Sequence, residues 1–197
     1  ASSSTFCEGE AITFTATSTS GISTYTFLVG GAPQQIGTSN SFSPAAFSST
    51  VSVAVRVETA AGCIATDTLD LFYNDIDVKG TIGQVSTTLC PNETPPPFTN
   101  VVSASGASTI TYMWQARKYG DPFADLVPSV TTAVYTPTSG LTTTTFYRRV
   151  AISTSPQNKT CEEFSNIVQI TVNESPISGL QVGGVTAPDT IAICGSE

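Results

Sequence analysis

Val51-Ser52-Val53-Ala54-Val55-Arg56-Val57 places a valine at every second position, with Ser, Ala and Arg between. A period of two puts alternate side chains on opposite faces of an extended strand, and β-branched valine packs well on a pleated surface. The same alternation returns at Ile12, Phe14 and Ala16, set between Thr13, Thr15 and Thr17, and again over Ile167 to Val172. Turn formers separate these runs: Ser20-Gly21, Gly30-Gly31-Ala32-Pro33, Ser105-Gly106 and Ser139-Gly140. No stretch carries a 3.6-residue period. Short strands broken by frequent turns predict an all-β protein built as antiparallel sandwiches.

The strand blocks recur in order. Tyr25-Thr26-Phe27 corresponds to Tyr112-Met113-Trp114, and Phe42-Ser43-Pro44 to Tyr135-Thr136-Pro137. Val53-Ala54-Val55-Arg56-Val57 corresponds to Phe146-Tyr147-Arg148-Arg149-Val150, and Cys63 to Cys161. Each cysteine precedes a closing strand, Thr68 to Tyr73 and Ile167 to Val172. Three cysteines open on one pattern: Cys7-Glu8-Gly9-Glu10, Cys90-Pro91-Asn92-Glu93 and Cys194-Gly195-Ser196-Glu197. Matches in register mark an internal duplication. The reading is a first module over 1–75, a second over 76–174, and a linker with the first strand of a third over 175–197. Gly80-Thr81-Ile82-Gly83 resembles Gly179 to Gly183, which supports that third opening.

Composition narrows the function. The chain carries 15 acidic and 7 basic residues, no histidine, and a net charge of −8. Nucleic-acid binding and docking on an anionic membrane both need clustered cations, so neither is expected. No run approaches the ~20 apolar residues of a membrane-spanning helix. Without histidine, Ser-His-Asp and Cys-His catalysis are impossible. The adjacent Glu162 and Glu163 point to opposite faces of a strand and make no carboxylate pair, so no enzyme is expected.

Five widely spaced cysteines with no CxxC pair read as disulfides, which points to an oxidising compartment. The repeat suggests Cys7–Cys63 and Cys90–Cys161, each within one module, with Cys194 left unpaired by truncation. Closing the 56 positions from Cys7 to Cys63 would stabilise the fold by about 4 kcal/mol.

Tyr112-x-Trp114, Val134-Tyr135-Thr136-Pro137, Leu141 to Val150, Cys161 and Ser165 to Val172 resemble the Ig-like or PKD-like repeats of giant Bacteroidetes surface proteins, the group associated with gliding motility and type IX secretion. The first module is similar to a sister repeat through Tyr25 to Gly31, Gln35 to Phe42 and Gly62 to Asp67. The acidic stretch of the PKD signature is absent from both. The resemblance implies tandem Ig-like sandwiches with Greek-key-type sheets. It further implies a cell-surface adhesin or filament whose repeats space and present adhesive regions, with neighbouring repeats as partners.

Other candidates follow from single residues. Trp114 reads as the core aromatic of a sandwich. The competing reading is a sugar-stacking platform with Tyr119 and Phe123, of which Tyr119 and Phe123 are the better candidates, in a loop. Asp75 and Asp77 at the first junction, with Glu174 and Asp189 near the second, are candidate calcium ligands, although no Asp-x-Asp-x-Asp-Gly loop exists. No other cofactor is expected. Asp67-Thr68-Leu69 and Asp189-Thr190-Ile191 resemble the acceptor pattern for O-linked glycans in Bacteroidetes, which makes Thr68 and Thr190 candidate sites. The opening strand of the third module also suggests a self-assembling fibre, pairing residues 185–197 with another chain's open sheet edge.

Overall fold

The computed structural model describes residues 5–18, 21–174, 181–182 and 185–186. Every regular element among them is a strand. The chain forms two compact units: Ala1–Asp77 with Ser105–Ile110 and Ile152–Glu162, and Val78–Ala104 with Thr111–Ala151 and Glu163–Glu197.

In the first unit the strands are β1 (Thr5–Phe6), β2 (Phe14–Thr15), β3 (Ile22–Val29), β4 (Ala32–Gly37), β5 (Ser41–Phe42), β6 (Val51–Thr59) and β7 (Ile64–Tyr73). The valine run is the centre of the larger sheet, ordered β1-β7-β6-β3-β4. Val53 turns inward to Phe6 and Leu71. The second sheet is the pair β2-β5, where Phe14 stands opposite Phe42. Phe42 stacks on Phe27 of the larger sheet, with ring centroids 5.4 Å apart.

The second unit holds β8 (Thr81–Gly83), β9 (Thr88–Leu89), β10 (Thr99–Val102), β11 (Ile110–Lys118), β12 (Ala124–Asp125), β13 (Thr145–Thr154), β14 (Thr160–Phe164) and β15 (Val168–Val172). Its larger sheet runs β12-β11-β13-β15-β9, with β14 also on β13. Opposite it, β8 pairs with β10, and Phe98 bridges Tyr135. Two further short strands, β16 (Gln181–Val182) and β17 (Val185–Thr186), pair antiparallel.

The two units share one topology. In each, the opening strand runs parallel to the end of the closing strand: β1 beside Phe72 and Tyr73 of β7, and β9 beside Thr171 and Val172 of β15. The strand order is the same, so the molecule is a tandem of Ig-like β-sandwiches. The duplicated sequence and the compact units part company at two places. The start of β11 and the tip of the β13–β14 hairpin belong to the first unit.

Trp114 is fully buried with Phe98, Tyr147 and Ile170, and its indole N–H donates to Thr132 O at 2.9 Å. It is a core residue with its one polar atom satisfied. The neighbouring arginines divide between faces, as strand alternation requires. Arg149 is fully buried. Its Nη1 donates to Asn100 Oδ1 and Ala133 O, both at 2.7 Å, and its Nη2 to Val102 O at 3.1 Å. Its guanidinium lies 4.3 Å from the Tyr112 ring centroid. Arg148, on the other face, lies 4.2 Å from the Phe123 ring and 3.8 Å from Phe164.

Candidate functional site

The repeated Cys-x-x-Glu pattern is a turn that closes on itself. Glu10 N–H donates to Cys7 O at 3.2 Å, and Cys7 N–H donates to Glu10 Oε2 at 3.1 Å. Glu93 and Cys90 repeat both bonds, at 3.2 and 2.7 Å. The third residue is left-handed in each turn, Gly9 at φ 71° and Asn92 at φ 68°. A type II turn demands that conformation, and Gly and Asn accept it most readily. The pattern therefore fixes the cysteine at the exit of the opening strand.

From there Cys7 reaches Cys161, not Cys63. The Cys7–Cys161 disulfide joins Cα atoms 5.6 Å apart. This overturns both expected intramodule links, Cys7–Cys63 and Cys90–Cys161. Cys90 is disulfide-bonded as well, and Cys63 is free and exposed. The physical reason lies in the parallel pairing of β1 with the far end of β7. Phe6 stands beside Tyr73, whereas Cys63 sits just before β7 begins. At about 3.3 Å per residue the two ends of β7 lie roughly 30 Å apart, far beyond what a disulfide spans. The same geometry separates Cys90, beyond Leu89, from Cys161, because Leu89 stands beside Val172. Cys194 lies outside the described residues.

A polar cluster surrounds the bond. Asn74 is 2% exposed, yet every polar atom of its side chain is used. Its Nδ2 donates to Ser153 O and Lys159 O, each at 3.2 Å, and its Oδ1 accepts from Ser153 Oγ at 2.8 Å. Its backbone N–H donates to Phe6 O at 2.9 Å. Lys159 Nζ lies 2.8 Å from Glu10 Oε1. The bond from Lys159, with the Cys7 N–H, holds the Glu10 carboxyl below its ordinary pKa. Nearby, burial first and then the charges of Asp75, Glu8 and Asp77 push the Tyr73 phenol up to about 12. Opening turn, linker and hairpin tip thus converge within the first unit. Sequence reasoning named Cys7 and Cys161 separately but missed Asn74, Ser153 and Lys159. Polar residues in a linker and a hairpin turn give no signal until the topology brings them together.

The remaining candidates are placed as follows. Asp75 Oδ1 accepts from Ile76 N–H at 2.7 Å, and its carbonyl accepts from Ala107 N–H at 3.0 Å. Among the described residues no three acidic or thiol side chains converge on a common point. Tyr119 is 87% exposed on the turn after β11. Phe123 is half-buried between two guanidiniums, 5.0 Å from Arg117 and 4.2 Å from Arg148. Thr68 is exposed on β7, and its N–H donates to Asp67 Oδ1 at 2.9 Å. Thr190 and Asp189 lie outside the described residues. Glu163 pairs with Lys79 at 2.7 Å, while Glu162 is exposed.

A family model described as "Domain of unknown function (DUF8696)" matches residues 78–174. No curated protein matches the chain. Two solved structures resemble it. One contains the fibronectin(III)-like modules of Clostridium thermocellum CbhA, at 14% identity and a TM-score of 0.42, covering 86% of this chain and 89% of that one. The other contains three N-terminal domains of the bacteriophage RB49 highly immunogenic outer capsid protein, at 12% identity and a TM-score of 0.48, covering 86% of this chain and 66% of that one. These likenesses are too distant to bear on function. The sandwich assignment rests on the strand order itself.

Proposed function

We propose that the chain is a structural repeat segment of a large bacterial cell-surface adhesin or filament, spacing and presenting adhesive regions, without catalytic activity. The observation that carries this reading is the cross-repeat disulfide. Cys7 opens the first sequence repeat and Cys161 lies on the last hairpin of the second, so successive repeats are covalently tied. A tie of that kind serves a string of modules under tension, and a tandem array gains stability from neighbour contacts. Disulfides fit an oxidising compartment. Among the described residues no helix is long and apolar enough to cross a membrane. The resemblance to Bacteroidetes repeats supplies the surface, gliding and type IX secretion parts of the proposal.

The test uses antibodies raised against the whole chain. Intact cells should stain, protease shaving should remove the stain, and the purified chain should give no signal on a glycan array. Staining only after permeabilisation would overturn the surface reading. A second reading, carbohydrate binding, is favoured by one observation, the outward Tyr119 ring. A glycan signal lost in Tyr119→Ala would establish it instead.

A further inference from the structure

The outward face of the second unit's larger sheet carries rings and guanidiniums in alternation. Trp114 and Tyr147 turn into the core, so Arg117 on β11 and Phe146 and Arg148 on β13 point the other way. The Arg117 guanidinium carbon lies over the Phe146 ring, 4.8 Å from its centroid, and over Phe123 at 5.0 Å. Arg148 lies over the same Phe123 ring at 4.2 Å and over Phe164 at 3.8 Å. The order of contacts is Phe146, Arg117, Phe123, Arg148, Phe164. Each step is a cation–π stack, which holds a guanidinium flat and in place.

The sandwich does not need this stack. The registers of the closing and central strands place Ser52 where Phe146 stands and Ala54 where Arg148 stands, and the first unit folds with those small side chains. Nor are the two cations neutralised. In a chain of 15 acidic and 7 basic residues, Arg56, Lys79 and Lys159 each pair with a carboxylate. Among the described residues Arg117 and Arg148 pair with none. Arg148 donates only from Nε, to Gln115 Oε1 at 2.7 Å, and Arg117 from Nη1 to Asp121 O at 3.3 Å. The Arg117 Nε is buried without a partner. Asp125, opposite Gln115 across the strands, accepts from Gln115 Nε2 at 2.8 Å rather than from a guanidinium. Burial first, and then the charge of Arg117, hold the Arg148 pKa below its ordinary value. Two like charges are thus kept side by side, an arrangement that favours an incoming anion.

We propose that this face binds an acidic peptide segment of a partner protein, with one carboxylate on each guanidinium. A guanidinium stacked on a ring still presents its N–H edge, and Arg148 keeps both terminal nitrogens for a forked pair with a carboxylate. The rings already fix both side chains, so little ordering cost is left for binding. β11 and β13 lie inside the sheet, flanked by β12 and β15, and their backbone groups are engaged there. Recognition therefore falls to side chains, as in other arginine clusters that read acidic motifs. Phe164, 40% exposed at the end of the stack, offers an apolar contact to a neighbouring residue of the same segment. A sugar would need a bare ring face, whereas both guanidiniums lie over Phe123. The inference needs neither the cell-surface location nor the spacer role.

The test titrates a fluorescently labelled, capped hexaglutamate with the oxidised full-length chain at low salt and follows anisotropy. Hexaglutamate should bind, hexaglutamine should not, and added salt should weaken the complex. Arg148→Gln should weaken it about tenfold, the loss of one charge-assisted pair, and Arg117→Gln/Arg148→Gln should abolish it. Lys118→Gln, which removes a cation outside the stack, should change it by less than about twofold. A second readout needs no variant. Hexaglutamate should slow modification of Arg117 and Arg148 by phenylglyoxal, located by peptide mass mapping, and leave that of Arg56 unchanged. Equal binding by the wild type and the double variant, no binding at low salt, or no protection of the two arginines would overturn the proposal. So would tighter binding of hexagalacturonate, which would assign the face to an acidic polysaccharide. Self-association lost in the double variant would overturn it too, in favour of a second copy of the chain.

Discussion

Cys7 and Cys161 stand 154 positions apart in sequence, yet a disulfide holds their Cα atoms 5.6 Å apart. The bond converts most of the chain into one covalent loop, and loop closure of that length stabilises by about 5 kcal/mol in the chain-entropy model. The double variant Cys7→Ser/Cys161→Ser should therefore unfold several kcal/mol more easily in guanidinium, with a lowered Tm. Equal stability of the double variant and the oxidised chain would show that the bond does not form in solution.

Peptide mapping without reduction should yield a linked pair containing Cys7 and Cys161, and alkylation before reduction should label Cys63. A Cys7–Cys63 link would restore the intramodule scheme against the strand register.

Asn74 should be costly to replace despite lying in a linker. Asn74→Ala leaves the carbonyls of Ser153 and Lys159 and the Ser153 hydroxyl without their partner in a buried place. Stranded buried polar groups cost about 1–3 kcal/mol each before relaxation and water entry. A total loss of about 2–4 kcal/mol in equilibrium unfolding is expected. A change within 0.5 kcal/mol, the range of ordinary surface substitutions, would show that the cluster contributes little.

The strand skeleton was legible because its signals are local. Valine alternation marked β6, and the matched blocks marked two sandwiches of like order. Trp114 read as core from its place in the repeat, and it is buried. The disulfide pairing was not legible. Repeat logic treats Cys63 and Cys161 as equivalents bonded alike, but which cysteine comes near Cys7 depends on β1 running parallel to the far end of β7. Parallel pairing joins residues distant in sequence and leaves no pattern in either strand. The candidate site depended on the same step, since Asn74, Lys159 and Glu10 meet only once the hairpin tip is placed. Arg149 illustrates the limit from the other side. Alternation puts Arg148 and Arg149 on opposite faces of β13, but the carbonyls that receive Arg149 come from β10 and the segment before Tyr135, which no local pattern shows.

Arg149 should not tolerate lysine. Its fork reaches two carbonyls and the Asn100 side chain at once, and a lysine ammonium offers neither that geometry nor the planar stack on Tyr112. Arg149→Lys should cost about 2–4 kcal/mol, followed through the fluorescence of Trp114, the single tryptophan, which sits in the same unit. Gly80→Ala should weaken the same corner. The added Cβ would lie 2.6 Å from Arg149 Nη2 and 2.8 Å from Val102 O, at a φ of 78° that alanine resists. Full stability in Arg149→Lys would mean that the guanidinium is hydrated rather than held.

The ionisable groups give stability limits at both ends of the pH scale. Glu10 has a lowered folded pKa, so its contribution is present above the ordinary carboxylate range and fades as pH falls through that range. The ion pair is partly exposed, so the effect is small and salt weakens it. Glu10→Gln should flatten the acid limb of stability slightly. At the alkaline end the sign reverses. Tyr73 and Tyr147 are pushed up to about 12, each chiefly by burial, so the fold favours their protonated forms. Their contribution is complete below about pH 10, the unfolded value, and is lost as pH rises toward 12. Of the six tyrosines, these two should ionise late, and Tyr135, raised by burial as well, should lag with them. In a titration followed by tyrosinate absorbance, the late step should coincide with loss of the sandwich signal in circular dichroism. If Tyr147 ionises near pH 10 with the fold intact, its ring is open to water and its packing on Phe98 is not kept in solution.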